Sequence, residues 1–234
     1  WGQLFMWVVG PFMRYFDFQS AQRVDTWIAN SQEVAKRIEK FYRKEAMVVY
    51  PPCKLNSNNQ APNSKQNYFL VVSRIVGGKG IEEAIKGAQK AGVKLKIVGE
   101  MVNGQWPMTN DKKIEYVGRV NDSELAVLYA GARGFIALAR DEDFGMTVVE
   151  AMGHGTPVLA YNGGVYKETV VYNNQSPSTN FQTGILINDP DAQSVADGIK
   201  KMEKTKWDRV AIKKWARKFG RAQFENGIRG VVGA

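Results

Sequence analysis

From Tyr68 onward, short apolar runs alternate with longer segments of helical period. The runs predict strands over 68–74, 94–100, 114–119, 134–139, 157–161 and 184–189. The segments between them predict helices over 80–92 and 121–132, near 146–153 and near 164–172. Strands separated by helices form parallel sheets through right-handed crossovers. The pattern therefore predicts an α/β protein with a Rossmann-like parallel sheet flanked by helices on both faces.

Residues 1–52 do not fit as the start of that sheet. "DTWIANS" (25–31) predicts a strand that leads into a helix over 31–42, and "AMVVYPP" (46–52) predicts a further strand ended by two prolines. The polar segment 53–67 is rich in Asn, Ser and Pro and is typical of a linker. We therefore expect the tail of one α/β unit over 1–52, a linker over 53–67 and a complete α/β domain over 68–206.

The last segment, 207–234, predicts an amphipathic basic helix that packs back on the body of the protein. Its apolar face would carry Ala211, Trp215, Phe219 and Ala222, with Lys and Arg on the opposite face. Contact of that basic face with an anionic membrane surface is the alternative role.

Charge is concentrated in this same C-terminal region. The net charge is +9, but ten Lys and Arg against two acids lie between Lys200 and Arg221, so the remaining residues sum to about +1. Such a body is not a nucleic-acid binder by charge. We expect no nucleic-acid partner.

The N-terminus and the residue counts exclude several classes of protein. The first residues are apolar for only about 13 positions, carry Pro11 and lack a small-residue cleavage site, which predicts neither a signal peptide nor a membrane helix. The single cysteine, Cys53, excludes an internal disulfide and a multi-cysteine zinc site. The single histidine, His154, argues against a His-rich metal centre or a Ser-His triad. This cysteine usage indicates the cytoplasm. Because the chain starts at Trp1 rather than Met, we expect an N-terminal part to be missing.

Two basic residues follow the first strand of the predicted domain. In "VSRIVGGKGIEEA", Arg74 ends the strand and Lys79 precedes the helix after two glycines. Ligands of open parallel sheets bind beyond the carboxyl ends of the strands, where helix N-termini favour anions. Arg74 and Lys79 would there clamp a diphosphate. An ordinary β-α turn with surface charges is the alternative, and the G-x-G-x-x-G fingerprint is absent.

"DEDFGMTVVEAMGHGTPV" (141–158) holds four carboxylates at a strand end and in the following helix. Asp141, Glu142 and Asp143 suggest a metal site, and Glu142 with Glu150 suggest an acid/base pair. Alternatively, Glu142 and Glu150, at most roughly 12 Å apart along a helix, accept hydrogen bonds from two parts of one sugar-containing ligand. Carboxylates that merely complement the helix dipole are the fourth interpretation.

The order of motifs resembles a known enzyme family. The E-x7-E spacing from Glu142 to Glu150, followed by "GGVYKE" (163–168) and "TGILI" (183–187), resembles retaining glycosyltransferase family 4, of the GT-B fold. "FLVVSRIVGGKGIEEAI" is similar to the first strand and phosphate loop of that family's donor domain. The run from about Arg14 to Pro52 is similar to the WbaZ-type mannosyltransferases.

This resemblance implies a role for each matching residue. Arg74 and Lys79 hold the donor's diphosphate, Glu142 holds the transferred hexose, and these three are the expected catalytic residues. Glu150 accepts hydrogen bonds from the ribose, and the loops at Gly99 and 117–119 lie near the base. The expected donor-binding residues are Gly78, Gly99, Val117, Gly118, Arg119, Phe144, Gly145, Met146, Thr147 and Glu150. The family characteristically needs no metal for donor binding, and His154 is expected to be structural or to lie on the surface.

The resemblance thus implies a retaining, metal-independent transferase that uses a nucleotide-diphosphate sugar such as GDP-mannose to build surface polysaccharide or glycolipid. It also implies that the N-terminal acceptor domain is largely absent, so that this chain alone binds donor but lacks the acceptor half. A UDP- or ADP-glucose-dependent enzyme and a non-catalytic nucleotide-sugar-binding module are the alternatives. We expect a cytoplasmic protein, peripheral to the inner face of the membrane if the basic C-terminal helix contacts lipid.

Overall fold

The computed structural model describes residues 2–55, 67–100, 109–172 and 181–233, and the side chains from Phe5 onward. Its N-terminal part contains two helices and a two-stranded parallel sheet. These elements are α1 (Gly2–Ala21), β1 (Ile28–Ala29), α2 (Gln32–Tyr42) and β2 (Met47–Val48). The predicted succession of strand, helix and strand is therefore present, and the hydroxyl of Ser31 caps α2 by accepting a hydrogen bond from the N–H of Val34.

Helix α1 is an element that the sequence pattern does not predict. It contains Pro11, which removes a helical hydrogen bond, and its apolar residues follow no single face. Large side chains on it are exposed, for example Trp7 (78%) and Phe12 (73%). None of the described helices is long and apolar enough to cross a membrane.

The main sheet has six parallel strands in the order β5-β4-β3-β6-β7-β8. These strands are β3 (Tyr68–Val72), β4 (Lys94–Val98), β5 (Ile114–Gly118), β6 (Gly134–Ala137), β7 (Val158–Tyr161) and β8 (Gly184–Ile187). Strand β3 pairs with β4 on one side and with β6 on the other. All six predicted strands are present, each shorter than its apolar run by one or two residues at its ends.

Helices cover both faces of this sheet. They are α3 (Ile81–Ala91), α4 (Asp122–Gly131), α5 (Met146–Gly153), α6 (Tyr166–Thr169) and α7 (Ala192–Lys204). Successive residues of a strand point to opposite faces, so Phe69 and Val71 pack with α3 and α7, whereas Leu70 packs with α5 on the other side. Burial on both faces explains why the strands are continuous apolar runs rather than alternating patterns.

The C-terminal segment differs from the predicted single helix. It forms α8 (Arg209–Ala216), a 3₁₀ turn (Arg217–Phe219) and α9 (Arg221–Val232). The buried residues are Ile212, Ala216 and Phe219, whereas Ala222 of the predicted apolar face is exposed. The helix is interrupted where the carbonyl of Phe219 accepts a hydrogen bond from the N–H of Cys53, 3.0 Å away. This partner lies 166 residues away along the chain, beyond the reach of a local pattern.

Most of the predicted linker, residues 56–66, lies outside the described residues. Two of its first residues are packed, since Cys53 is buried and Leu55 packs against the core that contains α5 and α8, whereas Lys54 between them is exposed. The division of the chain at 52, 67 and 206 stays a prediction.

The N-terminal part contacts the main domain through charged groups. The carboxylate of Glu168, in α6, accepts hydrogen bonds from the N–H groups of Gln32 and Glu33 at the start of α2, both at 2.9 Å. Arg37 of α2 forms an ion pair of 2.8 Å with Asp143. Helix α2 is thus held against the loops that follow β6 and β7.

A substitution at Gly87 tests the packing of α3 on α7. A Cβ atom at Gly87 would lie 2.4 Å from Cγ1 of Val195, a fully buried side chain of α7. We expect Gly87→Ala to lower the free energy of unfolding by about 1–3 kcal/mol through overpacking. Gly230→Ala is the matched control, because Gly230 lies in α9 and a Cβ atom there would have no neighbour within 4 Å. It should raise the free energy of unfolding by up to about 1 kcal/mol through helix propensity. Urea unfolding of both variants measures this, and equal effects would contradict the described packing.

Candidate functional site

The predicted site residues lie at the edge of the sheet formed by the carboxyl ends of the strands. Strands β3 and β6 are neighbours at the centre, and the chain leaves them toward opposite sides of the sheet. A crevice opens at such a switch point, and ligands of parallel α/β sheets bind there. The loop 73–80 follows β3 and the loop 138–145 follows β6, so both border this crevice.

A glycine permits the close approach of these two loops. Gly80 has a φ of +69°, and a Cβ atom there would lie 2.5 Å from Cβ of Leu138. Only glycine satisfies both the left-handed backbone and the contact. Gly78, in the same loop, has a φ of +82° and open space around it, so its backbone is accessible to a ligand.

Two of the three expected catalytic residues meet across the crevice. Nζ of Lys79 lies 2.9 Å from Oε2 of Glu142, and each side chain is 25% exposed. Arg74, immediately after β3, is exposed and forms no ion pair with a described residue. The arrangement therefore offers an anion two cations, of which one is already paired with a carboxylate.

The start of α5 adds backbone donors to the same crevice. Gly145 begins the helix with a φ of +72°, and no described side chain caps its first turn. The N–H groups of Met146 and Thr147 therefore carry the partial positive charge of a helix N-terminus toward the loop. Phe144 is buried and makes an edge-to-face contact with Phe219, so it anchors the loop rather than presenting its side chain to a ligand.

The ends of β4 and β5 form a second, adjoining part of the edge. The N–H of Gly99 donates to the carbonyl of Gly118 at 3.0 Å, and the hydroxyl of Tyr116 donates to the carbonyl of Gly99 at 2.7 Å. A Cβ atom at Gly99 would lie 1.8 Å from the carbonyl oxygen of Ser73, so only glycine fits there. Val117 is half-buried and Arg119 is exposed. The residues predicted to lie near a base are thus brought to neighbouring strand ends.

Glu150 lies in the second turn of α5, and no hydrogen bond joins it to the Lys79–Glu142 pair among the described residues. Its Oε2 accepts a hydrogen bond of 3.0 Å from the hydroxyl of Tyr129 in α4. Burial raises the pKa of Glu150 above the ordinary carboxyl value, and the hydrogen bond from Tyr129 offsets part of that increase.

A pocket of about 160 Å³, open to solvent, adjoins this carboxyl group. The residues that line it include Lys54, Asp122, Leu125, Tyr129, Glu150 and His154. Lys54 and Asp122 form an exposed ion pair of 2.7 Å that joins the first residues of the linker to the start of α4. A lining that combines apolar side chains with a few polar groups is typical of small-molecule sites.

Sequence reasoning missed Tyr129, Lys54 and Asp122 as residues of this pocket. Tyr129 belongs to a helix with a weak amphipathic pattern, and the other two are ordinary surface charges along the sequence. His154 was expected to be structural or at the surface, and it lines the same pocket. Its Nδ1 lies 2.9 Å from the backbone carbonyl of Glu150, which only accepts, so Nδ1 carries the proton. The spacing of four residues between Glu150 and His154 on one helix was the available signal.

The other two acids of the loop 138–145, Asp141 and Asp143, are not part of the Lys79–Glu142 pair. Asp143 forms the ion pair with Arg37, and Asp141 is exposed. In the part of the chain that the structure describes, no three His, Cys, Asp or Glu residues are grouped as metal ligands.

Comparison with known proteins identifies the family. The sequence profile described as "Glycosyl transferases group 1" matches residues 54–219, which include the whole of the main sheet.

Individual relatives are distant and longer than this chain. The chain is 23% identical over 189 residues to the GtfA subunit of a UDP-N-acetylglucosamine–peptide N-acetylglucosaminyltransferase from Streptococcus pneumoniae serotype 4, covering 74% of the chain and 36% of that protein. It is 25% identical over 194 residues to the O-antigen chain mannosyltransferase RfbU from Salmonella typhimurium, covering 73% of the chain and 54% of RfbU. The chain thus spans about a third to a half of these curated relatives.

Solved structures agree with this at the level of fold. The crystal structure of HepE from Anabaena in complex with UDP and glucose superposes with a TM-score of 0.73 at 18% identity, covering 94% of this chain and 66% of HepE. The expected fold, a parallel sheet flanked by helices as in one half of a GT-B glycosyltransferase, is confirmed.

The pH dependence of stability tests the environment of Glu150. Because the pKa of Glu150 is raised in the folded state, its charge destabilises the fold above that pKa and has no effect below the ordinary carboxyl range near 4. We expect Glu150→Gln to raise the free energy of unfolding at pH 7–8, and this gain to disappear as the pH falls through the carboxyl range. Urea unfolding across this range measures it.

Glu45→Gln, an exposed carboxyl group in the loop after α2, is the control and should change stability little at any pH. A stability gain at Glu150 that is independent of pH would contradict the assigned environment.

Proposed function

Since the chain belongs to the Glycosyl transferases group 1 family, we propose that it binds a nucleoside-diphosphate sugar and forms the donor-binding half of a retaining glycosyltransferase. The observation that carries this proposal is the meeting of Lys79 and Glu142 at the switch point of the sheet. A cation for phosphate and a carboxylate for sugar hydroxyls are placed there side by side. The transfer would break the bond between the sugar's anomeric carbon and the diphosphate, and form a bond to an acceptor hydroxyl.

Diphosphate recognition would use positive groups from two loops, 73–80 and 138–145. Lys79 and Arg74 would bind the phosphate oxygens and stabilise the charge that develops on the leaving diphosphate. The N–H groups at the start of α5, near Thr147, would add dipole stabilisation. These groups supply positive charge without a metal ion, and we propose that donor binding is metal-independent.

The sugar and the nucleoside would lie on either side of the diphosphate. Glu142 would accept hydrogen bonds from the hexose, next to the backbone of Phe144, Gly145 and Met146. Glu150 would accept hydrogen bonds from the ribose hydroxyls in the adjoining pocket. An open hollow over residues 119–123 shares Asp122 with that pocket, and the base would lie toward it.

We propose mannose from GDP-mannose as the transferred sugar, supported by the likeness to RfbU and by the resemblance of the upstream run to mannosyltransferases. A UDP-linked donor is the second candidate, because HepE was crystallised with UDP and glucose and the name of GtfA contains UDP-N-acetylglucosamine. A module that binds nucleotide sugars without turnover is the third.

The acceptor belongs to the same proposal. A glycan or glycolipid of surface polysaccharide synthesis would bind an N-terminal acceptor domain. We propose a cytoplasmic location at the inner face of the membrane, where the basic residues between Lys200 and Arg221 would contact anionic lipid.

A panel of nucleotides on this chain tests donor binding. We expect GDP or UDP at a hundred times its Kd to raise the free energy of unfolding by about 2.7 kcal/mol, which raises Tm by about 5–10 °C. Lys79→Ala and Arg74→Ala should remove most of this shift, whereas Lys86→Ala, an exposed lysine of α3, should retain it. Addition of EDTA should leave the shift unchanged.

The outcomes distinguish the candidates. A shift with GDP but not UDP favours the mannose donor, and the reverse favours a UDP sugar. No shift with any nucleoside diphosphate rejects the donor-binding function, and a shift abolished by EDTA rejects metal independence.

Glu142→Gln tests the ion pair in a different way. In the ligand-free protein the carboxylate competes with phosphate for Lys79, so a neutral amide should tighten the binding of the nucleoside diphosphate by about threefold to tenfold. The same variant should lose the additional affinity that the sugar gives to the complete donor. Calorimetric titration with both ligands measures the two effects.

Asp141→Asn removes a neighbouring exposed charge and serves as the control, with little change in either affinity. Weaker binding of the nucleoside diphosphate to Glu142→Gln would refute the proposed competition between the Glu142 carboxylate and phosphate for Lys79.

A further inference from the structure

The hydroxyl of Tyr129 is the group that fixes the carboxylate of Glu150. Tyr129 is 2% exposed, and its ring stacks on His154 at 5.4 Å and lies 5.8 Å from the ring of Phe135. Its backbone carbonyl accepts a hydrogen bond of 2.6 Å from the buried hydroxyl of Thr156. Ring and backbone are therefore held from three sides, so the hydroxyl has one direction available, toward Oε2 of Glu150.

The second carboxylate oxygen is left for a ligand. Oε1 of Glu150 accepts no hydrogen bond from any residue in the described ranges, and the side chain lines the pocket beside α4. A carboxylate fixed at one oxygen presents the other, with its lone pairs, in one orientation. Such an acceptor suits a vicinal diol, whose two hydroxyl groups donate toward a common point.

The chain around Glu150 supports this arrangement from a second side. Nδ1 of His154 donates to the backbone carbonyl of Glu150, while the His154 ring stacks on Tyr129. His154 thus restrains the Tyr129 ring and the backbone of Glu150, and the Tyr129 hydroxyl restrains the Glu150 carboxylate. Burial keeps the pKa of the Tyr129 hydroxyl well above its usual value, so it remains a proton donor at neutral pH.

We propose that Tyr129 is a positioning residue that makes Glu150 selective for the ribose diol of the donor. Its hydroxyl aligns the carboxylate before the ligand arrives, and its removal lets the carboxylate rotate toward solvent. This inference rests on the proposed function, because it assumes that a ribonucleotide occupies the pocket.

The test compares nucleotides with and without the diol. Affinities of GDP and UDP are measured by calorimetry beside those of their 2′,3′-dideoxy forms. We expect the wild-type chain to prefer the ribose form by about tenfold or more, as for a hydrogen bond to a charged group. Tyr129→Phe should reduce this preference to about threefold or less, with the affinity for the dideoxy form little changed.

Tyr68→Phe is the matched control. Its hydroxyl donates to the backbone carbonyl of Leu128, next to Tyr129 in α4, so the variant also removes one tyrosine hydrogen bond to this helix. It should keep the preference of the wild type. A merely structural role of Tyr129 would lower stability or both affinities together, without changing their ratio.

The outcomes separate this inference from the function on which it rests. Binding of nucleoside diphosphates with the same diol preference in Tyr129→Phe as in the wild type overturns the inference and leaves the donor-binding function intact. Equal binding of ribose and dideoxy forms by the wild type also overturns the inference and leaves the donor-binding function intact. Absence of nucleotide binding overturns both.

If Tyr129→Phe does not fold, His154→Ala replaces it. That variant removes the stacking partner of Tyr129 and the bond to the Glu150 carbonyl, at a half-buried position. A reduced ribose-to-dideoxy ratio supports the positioning role, and an unchanged ratio overturns it.

Discussion

The parallel pairing of β3 with β6 is the constraint on which the candidate site depends. It joins residues that are 65 apart along the chain, with Phe69 opposite Gly134 and Leu70 opposite Phe135. Because both strands point the same way, their following loops emerge at one edge, and because the crossovers go to opposite sides, no helix fills the space between them. The ion pair of Lys79 with Glu142 is a consequence of this register: a shift by one residue would turn the buried side chains of β3 to the wrong face.

Glycine converts that arrangement into a surface that a ligand can approach. Gly80 and Gly99 each lie where a Cβ atom would collide with a neighbouring strand end, and both have a positive φ. Gly78 and Gly118 have a positive φ without any close neighbour. The first pair is therefore required by packing within the protein. The second pair leaves backbone exposed at the edge, which is useful when a phosphate or a base must come close.

The sequence predicted the elements that local pattern determines and missed what long-range contacts determine. The six strands follow from apolar runs that both helix layers bury, and the E-x7-E spacing located Glu142 and Glu150 before their surroundings were known. Helix α1 was missed because Pro11 and a lack of periodicity conceal it. The interruption after α8 coincides with a hydrogen bond from Cys53, which is remote in sequence, so the apolar pattern of the segment did not reveal it. Tyr129 was missed because a helical apolar pattern does not show whether a tyrosine hydroxyl is directed at an acidic side chain elsewhere in the fold.

The two carboxylates of the motif are held in opposite ways, and the difference is chemical. Glu142 is held by a lysine cation, which a phosphate group also attracts, so its position depends on whether an anion is present. Glu150 is held by a neutral hydroxyl in a buried position, where phosphate has no reason to compete. Partial burial raises the pKa of Glu150 and therefore costs stability at neutral pH. A chain that only needed helix-entry carboxylates would leave both exposed at the first turn. In the proposed function, an acid held in a costly environment would be the preformed acceptor for an uncharged diol. An acid whose partner can be exchanged would lie at the end of the ligand next to the diphosphate.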